Sequence, residues 1–182
     1  MIAEHEYRLG RSCLHKILHS RAGLPRNDTD NAFSAWMRSE AKKLAAISHH
    51  LFLDAVHLSP ANDARLADQT SEIIAAGGTV AGARFVVESA SCRVDFATRL
   101  GSVIRLYQIV PKCVDLEKHR RGWEFATQAG NVRGEWRGHL EDMALRLWIV
   151  QRLWPQLRVV PFFITPVRGA SVDVEALHSF FE

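Results

Sequence analysis

The length, composition and charge of this 182-residue chain exclude several classes of protein. With 47% hydrophobic residues the chain can bury one full core but is too short for two, so we expect a single domain over residues 1–182. Its 23 basic residues exceed the 20 acidic ones only slightly, and the net charge of +3 permits a nucleic-acid partner without requiring one.

The cysteines and the hydropathy pattern favour a reduced, cytoplasmic protein. Cys13, Cys92 and Cys113 lie far apart and form no CxxC pair, so neither a disulfide framework nor a zinc ligand set is expected. No apolar run approaches the ~20 residues needed to cross a bilayer. The first residues lack the basic-then-apolar layout of a signal peptide. We therefore expect no membrane partner.

Residues 1–78 have the periodicity of helices. Apolar residues recur at three- and four-residue steps from Leu9 to Leu18, and Gly23-Leu24-Pro25 ends that pattern. A second helix is predicted from an N-cap among residues 28–30 to about Leu51. A third begins near residues 59–63 and ends at Gly77-Gly78.

The pattern changes to strands after residue 78. Runs at 83–88, 92–96 and 103–110 are separated by short turns and predict an antiparallel meander. A helix at about 136–154 and a strand at 157–165 then complete an α/β (α+β) fold with a central mixed four-stranded sheet, the sheet core spanning 79–165. The polar stretch 112–137 is predicted to be a mobile loop, and residues 166–182 to include a short terminal helix at 173–180.

One group of polar residues in the predicted sheet is suited to metal-dependent chemistry. Asp95 lies near the end of the second strand, and Gln108, Val110 and Lys112 share one parity on the next, so alternation places their side chains on one face. Hydrolysis of a phosphodiester with a divalent metal requires clustered oxygen ligands and a nearby cation or base. Asp95, Gln108 and Lys112 could converge in this way.

The segments that carry these residues resemble the RecB-like branch of the PD-(D/E)XK nuclease superfamily, and within it a bacterial domain of unknown function. The resemblance extends over most of the chain. It includes the opening segment, the helix with Glu40, the aspartate strand, the strand in the place of apolar-x-Glu-x-Lys, and the helix and strand that follow: Tyr7–Lys16, Glu40, Arg93–Phe96, Leu106–Val110, His139–Trp148 and Arg158–Ile164.

The resemblance implies a restriction-endonuclease-like core and a Mg²⁺- or Mn²⁺-dependent deoxyribonuclease site. Asp95, Gln108 and Glu40 would be the metal ligands, and Asp95, Gln108 and Lys112 the catalytic residues. The motif is degenerate, however, because Gln108 replaces the family's Glu and Val110 its Lys. An amide oxygen binds a divalent cation more weakly than a carboxylate, and valine cannot orient water. The resemblance therefore predicts reduced or lost catalysis.

Two further departures concern the helix and the cysteines. Arg146 and Trp148 stand where RecB-like relatives tend to show Gln and Tyr. Only Cys13 matches the cysteine set of relatives that carry an iron-sulfur cluster, so no such cluster is expected.

Each candidate also has a purely structural interpretation. Asp95 could simply end a strand, Glu40 could form a surface pair with Lys43, and Lys112 could be a solvated loop lysine. Trp123, in the basic stretch 118–123, could stack on a base.

Three functions remain open at this point. The first is a metal-dependent nuclease. The second is an inactive relative that binds nucleic acid through the same groove. The third is a non-catalytic protein-interaction or oligomerisation module, a homo-oligomer being compatible with the many Trp and Phe residues.

Overall fold

The fold is a mixed β-sheet with helical segments on both faces. A computed structural model describes residues 2–23, 32–58, 63–88 and 90–169. Within them the strands are β1 (Ile2–Ala3), β2 (Val56–His57), β3 (Thr79–Val87), β4 (Ala90–Leu100), β5 (Val103–Ile109) and β6 (Arg158–Ile164). The helices are α1 (Glu4–Ser12), α2 (Leu14–Arg21), α3 (Ala32–Ser48), α4 (Asp63–Ala75), α5 (Leu116–Arg120) and α6 (Gly134–Leu153).

The sheet order is β2-β3-β4-β5-β6, with β1 paired to β4. Strands β3, β4 and β5 form the predicted antiparallel meander, and β6 lies parallel to β5 after the crossover through α6. The mixed α+β class is confirmed, and the four predicted strands are the four long ones. The strand count was too low, because β1 and β2 add to β4 and β3 as parallel two-residue strands. Two residues are too few to show an alternation.

The first predicted helix, with its apolar period from Leu9 to Leu18, is two helices. The backbone of Cys13 is extended, with φ of −173° and ψ of 126°, and it separates α1 from α2. Glu6 on α1 is buried, and its Oε1 accepts a 2.8 Å hydrogen bond from Arg21 Nε on α2. This ion pair connects the two helices side by side and raises the pKa of the Arg21 guanidinium.

The polar stretch 112–137, predicted to be a loop without regular structure, contains α5 and two isolated β-bridges. Asp115 caps α5, since its Oδ1 accepts hydrogen bonds from the backbone N–H groups of Glu117 (3.0 Å) and Lys118 (3.2 Å). Those bonds lower the pKa of its carboxyl group. Helix α6 begins at Gly134, two residues before the predicted start. The predicted helix at 173–180 lies outside the described residues.

Three apolar clusters hold the layers together. The largest lies between the sheet and helices α4 and α6, the second lies on the opposite face around Phe96 and Phe52, and the third surrounds Trp136 at the start of α6. Among the described residues, no helix combines the length and apolarity that crossing a membrane requires.

The side-chain alternation of β4 shifts at Asp95. Val94 packs in the cluster under α6, whereas Phe96, two residues later, packs on the opposite face of the sheet. Residues two apart on a regular strand share a face, so the strand is kinked between them. The register places Gly82 of β3 opposite Asp95, and Gly82 has a φ of +72°, a conformation that side chains rarely adopt. Asp95 therefore lies at a kink that spans two strands.

Candidate functional site

Strands β4 and β5 separate at Asp95 and form a fork. Their pairing ends at Phe96 and Tyr107, and beyond that point β1 occupies the same edge of β4, opposite Ala90 and Ser91. Arg93 lies on β4 between the segment that pairs with β1 and the segment that pairs with β5. Its carbonyl oxygen accepts a 2.8 Å hydrogen bond from the Nε of Arg146 on α6. The fork thus brings β4, β5 and α6 together around one carboxylate.

Asp95 is bound within this fork by donors from β5. Its Oδ2 accepts a 2.7 Å hydrogen bond from the backbone N–H of Ile109 and a 2.6 Å hydrogen bond from Nε2 of Gln108. The carboxylate occupies the place that a backbone carbonyl of β4 would take if the ladder continued. Asp95 thus has a structural role at the end of the β4–β5 ladder.

The amide of Gln108 has a defined orientation. An ionised carboxylate only accepts hydrogen bonds, so the amide nitrogen must face Asp95 and the amide oxygen must point away. That oxygen, Oε1, is buried and has no hydrogen-bond partner among the described residues. A buried acceptor without a donor is costly, and a bound water that donates a hydrogen bond would satisfy it.

Gln108 lines a cavity of about 210 Å³ between α1, β5 and α6. His139, Asp142 and Arg146 contribute to it from one face of α6, since they are three and four residues apart. Arg8 lines it from α1, and its Nε lies 2.8 Å from Oδ2 of Asp142. Two guanidinium groups and one carboxylate line the cavity, and the Asp95 carboxylate lies behind Gln108.

The residues implied as metal ligands do not fit a Mg²⁺ or Mn²⁺ site. The Oε1 of Glu40 accepts a 2.8 Å hydrogen bond from Lys43 Nζ, which is the surface pair of the structural interpretation. Asp95 and Gln108 meet, but Gln108 presents its nitrogen to the carboxylate, so the two oxygens do not converge on one point. In the described part of the chain, no three His, Cys, Asp or Glu side chains form a group that could hold a metal.

The position of the family's lysine belongs to the apolar core in this chain. Val110 is 1% exposed and packs with Val114 and Trp136, so a lysine amine there would lack water and a partner. Lys112 lies beyond the end of β5, where its backbone N–H donates a 2.7 Å hydrogen bond to the Val110 carbonyl oxygen, and its side chain contacts the start of α6. Its Nζ lies 5.2 Å from the centroid of a Trp136 ring and 3.7 Å from Oε2 of Glu135. Lys112 therefore has structural partners of its own.

Sequence reasoning assigned no role to four residues of this cavity: Arg8, His139, Asp142 and Arg146. The three- and four-residue spacing on α6 is a signal that could have grouped the last three. Arg8 gave no signal, because its contact with Asp142 joins residues that are far apart in the sequence.

The basic stretch around Trp123 has an internal partner for its aromatic ring. The guanidinium of Arg121 lies 5.6 Å from the centroid of a Trp123 ring, and the Nε of Arg133 donates a 2.8 Å hydrogen bond to the Trp123 carbonyl oxygen. Stacking of a nucleic-acid base on Trp123, the interpretation offered by the sequence, would compete with Arg121 for the ring.

The stability of the domain should depend on pH through His139. Burial lowers its pKa below the ordinary value of 6.5, with Lys112, Arg8 and Arg146 acting in the same direction and Asp142 opposing them. The folded protein then binds fewer protons at this site than the unfolded chain, so stability is full above pH 6.5 and is lost as the pH falls below it. Urea unfolding between pH 5 and 7.5 should show that the free energy of unfolding falls more steeply with decreasing pH in the wild type than in His139→Gln. Equal slopes of unfolding free energy against pH would contradict a partly buried neutral imidazole at this position.

Comparison of the chain with models of protein families, with curated proteins and with solved structures gives no match.

Proposed function

We propose that this domain is a nuclease-like protein that binds nucleic acid without cleaving it. The order of elements from α4 onward supports a restriction-endonuclease-like core: a helix, three antiparallel strands, a crossover helix and a parallel strand. The observation that carries the proposal is the 2.6 Å hydrogen bond from Gln108 to Asp95, at the position where the resemblance implies a second carboxylate.

This hydrogen bond replaces the need for a metal ion. Two carboxylates at this separation would repel each other and would require a cation or a shared proton between them. The amide of Gln108 instead donates directly to Asp95, so the pair is electrostatically satisfied as it stands. The resemblance implies a catalytic lysine at position 110, but this chain has Val110 there, packed in the core. Lys112 lies against Trp136 instead.

The cavity beside this pair is suited to a phosphate group. Arg8 and Arg146 provide guanidinium donors, which match phosphate oxygens, and His139 becomes a further donor when it is protonated. An entering phosphate would compete with Asp142 for Arg8 and would bring its negative charge to two guanidinium groups. The ligand class that follows is the phosphodiester backbone, which is recognised by charge rather than by base sequence.

Binding without cleavage can be tested on labelled single- and double-stranded DNA. We expect affinity that falls as salt rises and no cleavage products in Mg²⁺ or Mn²⁺. Arg8→Gln should weaken binding and reduce the slope of log K against log salt by about one, because one phosphate contact is lost. Arg65→Gln is the matched control, since Arg65 is exposed on α4 and does not line the cavity.

Two outcomes would overturn this proposal. Metal-dependent cleavage that disappears in Asp95→Ala would make the protein an enzyme and would show that Gln108 turns its oxygen to a metal. Failure of the wild type to bind either form of DNA at low salt would leave the protein-interaction alternative.

A further inference from the structure

The edge of the sheet along β6 has an exposed aromatic ring beside an arginine on each of its two sides. On the side of α6, Trp148 is 48% exposed, and the Arg152 guanidinium lies 5.4 Å from the centroid of its ring. On the other side Phe162 is 40% exposed, and the Arg105 guanidinium lies 5.9 Å from its ring centroid. Arg158, the first residue of β6, is also exposed. We call these five residues the β6 edge surface.

The three arginines of the β6 edge surface have no acidic partner. In the described part of the chain, none of Arg105, Arg152 and Arg158 forms an ion pair with a carboxylate. The sequence gives the reason, because residues 96–114 and 143–169, which supply β5, the second half of α6 and β6, contain no Asp or Glu. Two copies of such a cationic surface would repel each other, so a symmetric dimer through this edge is unfavourable.

The acidic residues of the neighbouring helix α5 have partners of their own. This helix borders a groove that Phe162 also lines, and it brings Asp115 and Glu117 to that end of the edge. Asp115 accepts hydrogen bonds from the first turn of α5, and Oε1 of Glu117 lies 3.1 Å from Nη1 of Arg120. Lys118 and Arg120 also balance the two negative charges within the same helix. Helix α5 therefore does not neutralise the arginines of the β6 edge surface.

Strand β6 cannot accept a further strand along its whole length. The backbone N–H of Arg158 donates a 2.9 Å hydrogen bond to the Ser102 carbonyl oxygen. Alternate residues of a parallel strand bond to the same neighbour, so the even-numbered residues of β6 direct their backbone groups to β5. The odd-numbered residues face the open edge, and the middle one is Pro161, which has no N–H. A partner at this edge must therefore bind mainly through side-chain contacts.

A pocket of about 410 Å³ lies beside the edge, between α6 and β6. Its walls are apolar and its rim is polar, the lining residues being Leu147, Trp148, Gln151, Arg152 and Val159. Tryptophan, phenylalanine and arginine are enriched where proteins bind proteins, whereas nucleic-acid interfaces are mainly polar. A nucleic-acid base would also compete with Arg152 or Arg105 for the exposed rings. The composition of this surface thus favours a protein partner.

We propose that the β6 edge surface binds an acidic segment of a partner protein. One apolar side chain of that segment enters the pocket beside Trp148, and its carboxylates pair with Arg152 and Arg158. The planar guanidinium matches a carboxylate in both shape and charge. The proposal is independent of nucleic-acid binding, since the pocket shares no lining residue with the cavity around Gln108.

Fluorescence anisotropy of labelled peptides on the full chain tests the proposal. The probe is a short peptide of Glu and Leu with the Leu residues at helical spacing, and the same peptide with Ser in place of Leu is the control of equal charge. We expect the Glu/Leu peptide to bind more tightly. Arg152→Gln and Trp148→Ala should each weaken its binding on the order of 10-fold. Arg65→Gln, which removes an exposed arginine of α4, should leave its binding unchanged.

Several results would overturn the proposal. Failure of the wild type to bind the Glu/Leu peptide is one, and equal binding by Arg152→Gln and Arg65→Gln is another. Oligothymidylate binding that Arg152→Gln abolishes would assign the surface to nucleic acid. A dimer in sedimentation that Arg152→Glu dissociates would assign it to a second copy of the chain. DNA binding that depends on Arg8 should be unchanged in Arg152→Gln, so this proposal and the proposed function can fail separately.

Discussion

Gln108→Glu is expected to lower the free energy of unfolding by roughly 2–3 kcal/mol in metal-free buffer at neutral pH. The substitution changes one nitrogen to oxygen and keeps the shape of the side chain. It removes the Nε2–H donor, whose 2.6 Å hydrogen bond Asp95 accepts in the wild type. It also places a second carboxylate within hydrogen-bond distance of the Asp95 carboxylate. Urea unfolding of the variant and the wild type measures the difference.

The same variant should respond to pH and to metal in a way that the wild type does not. Like charges raise the pKa of one of the two carboxyl groups, so the destabilisation should be full at neutral pH and should shrink as the pH falls toward about 4. Mn²⁺ should restore stability, because a cation between the carboxylates removes their repulsion. At 100 times its dissociation constant, a metal that binds only the folded state contributes about 2.7 kcal/mol.

Gln128→Glu is the matched control for this experiment. Gln128 is exposed in the turn between Phe125 and Val132, so the same chemical change there should alter stability by less than ~0.5 kcal/mol. A wild-type protein that binds Mn²⁺ as tightly as Gln108→Glu would show that the amide does not replace the metal, and the proposed function would lose its main support.

Trp136→Ala is expected to cost roughly 3–5 kcal/mol in unfolding free energy. Trp136 is fully buried at the first turn of α6, where it contacts Val110 and Val114 and lies 4.8 Å from the Phe125 ring centroid. Its Nε1 also donates a 3.2 Å hydrogen bond to Glu124, a buried carboxylate that would lose this donor. The substitution therefore combines a large cavity with an incompletely satisfied acid.

Trp148→Ala provides the comparison on the same helix. Trp148 is 48% exposed and its ring is covered by the Arg152 guanidinium, so its removal should cost less than ~1 kcal/mol. Thermal and urea unfolding should show a much larger loss of unfolding free energy for Trp136→Ala than for Trp148→Ala. Similar losses would mean that the cluster around Trp136 does not hold the segment 112–137 to the sheet.

The fold could be predicted in its regular parts and not in its irregular ones. The long strands and α6 carry apolar periods that are strong enough to identify, and the antiparallel order of β3, β4 and β5 follows from the short turns between them. The break at Cys13, the helix α5 and the two-residue strands have no such period. Segment 112–137 contains few apolar residues, but Val114, Phe125 and Trp136 anchor it, and composition alone does not show that these three meet.

The candidate site divides in the same way. Alternation along β5 agrees with the position of Gln108 on the face toward α6, because the pleat is a local property of the backbone. β5 ends at Ile109, so the pleat does not account for the position of Lys112. Alternation could not show that Val110 lies in the core, because that outcome depends on neighbours from other elements. The pair between Glu40 and Lys43 is local to α3, and the i,i+3 spacing had offered it as the structural interpretation.

The amino-acid pattern is enough to identify the elements of the sheet core and the residues at the degenerate motif. What these residues contact depends on how the elements pack in the folded chain. The kink at Gly82 and Asp95 directs the carboxylate toward Gln108 and Ile109, and α1 and α6 bring Arg8 to Asp142. The physical reason is distance along the chain: periodicity reports the environment of a residue on its own element, whereas these contacts join residues that many intervening residues separate.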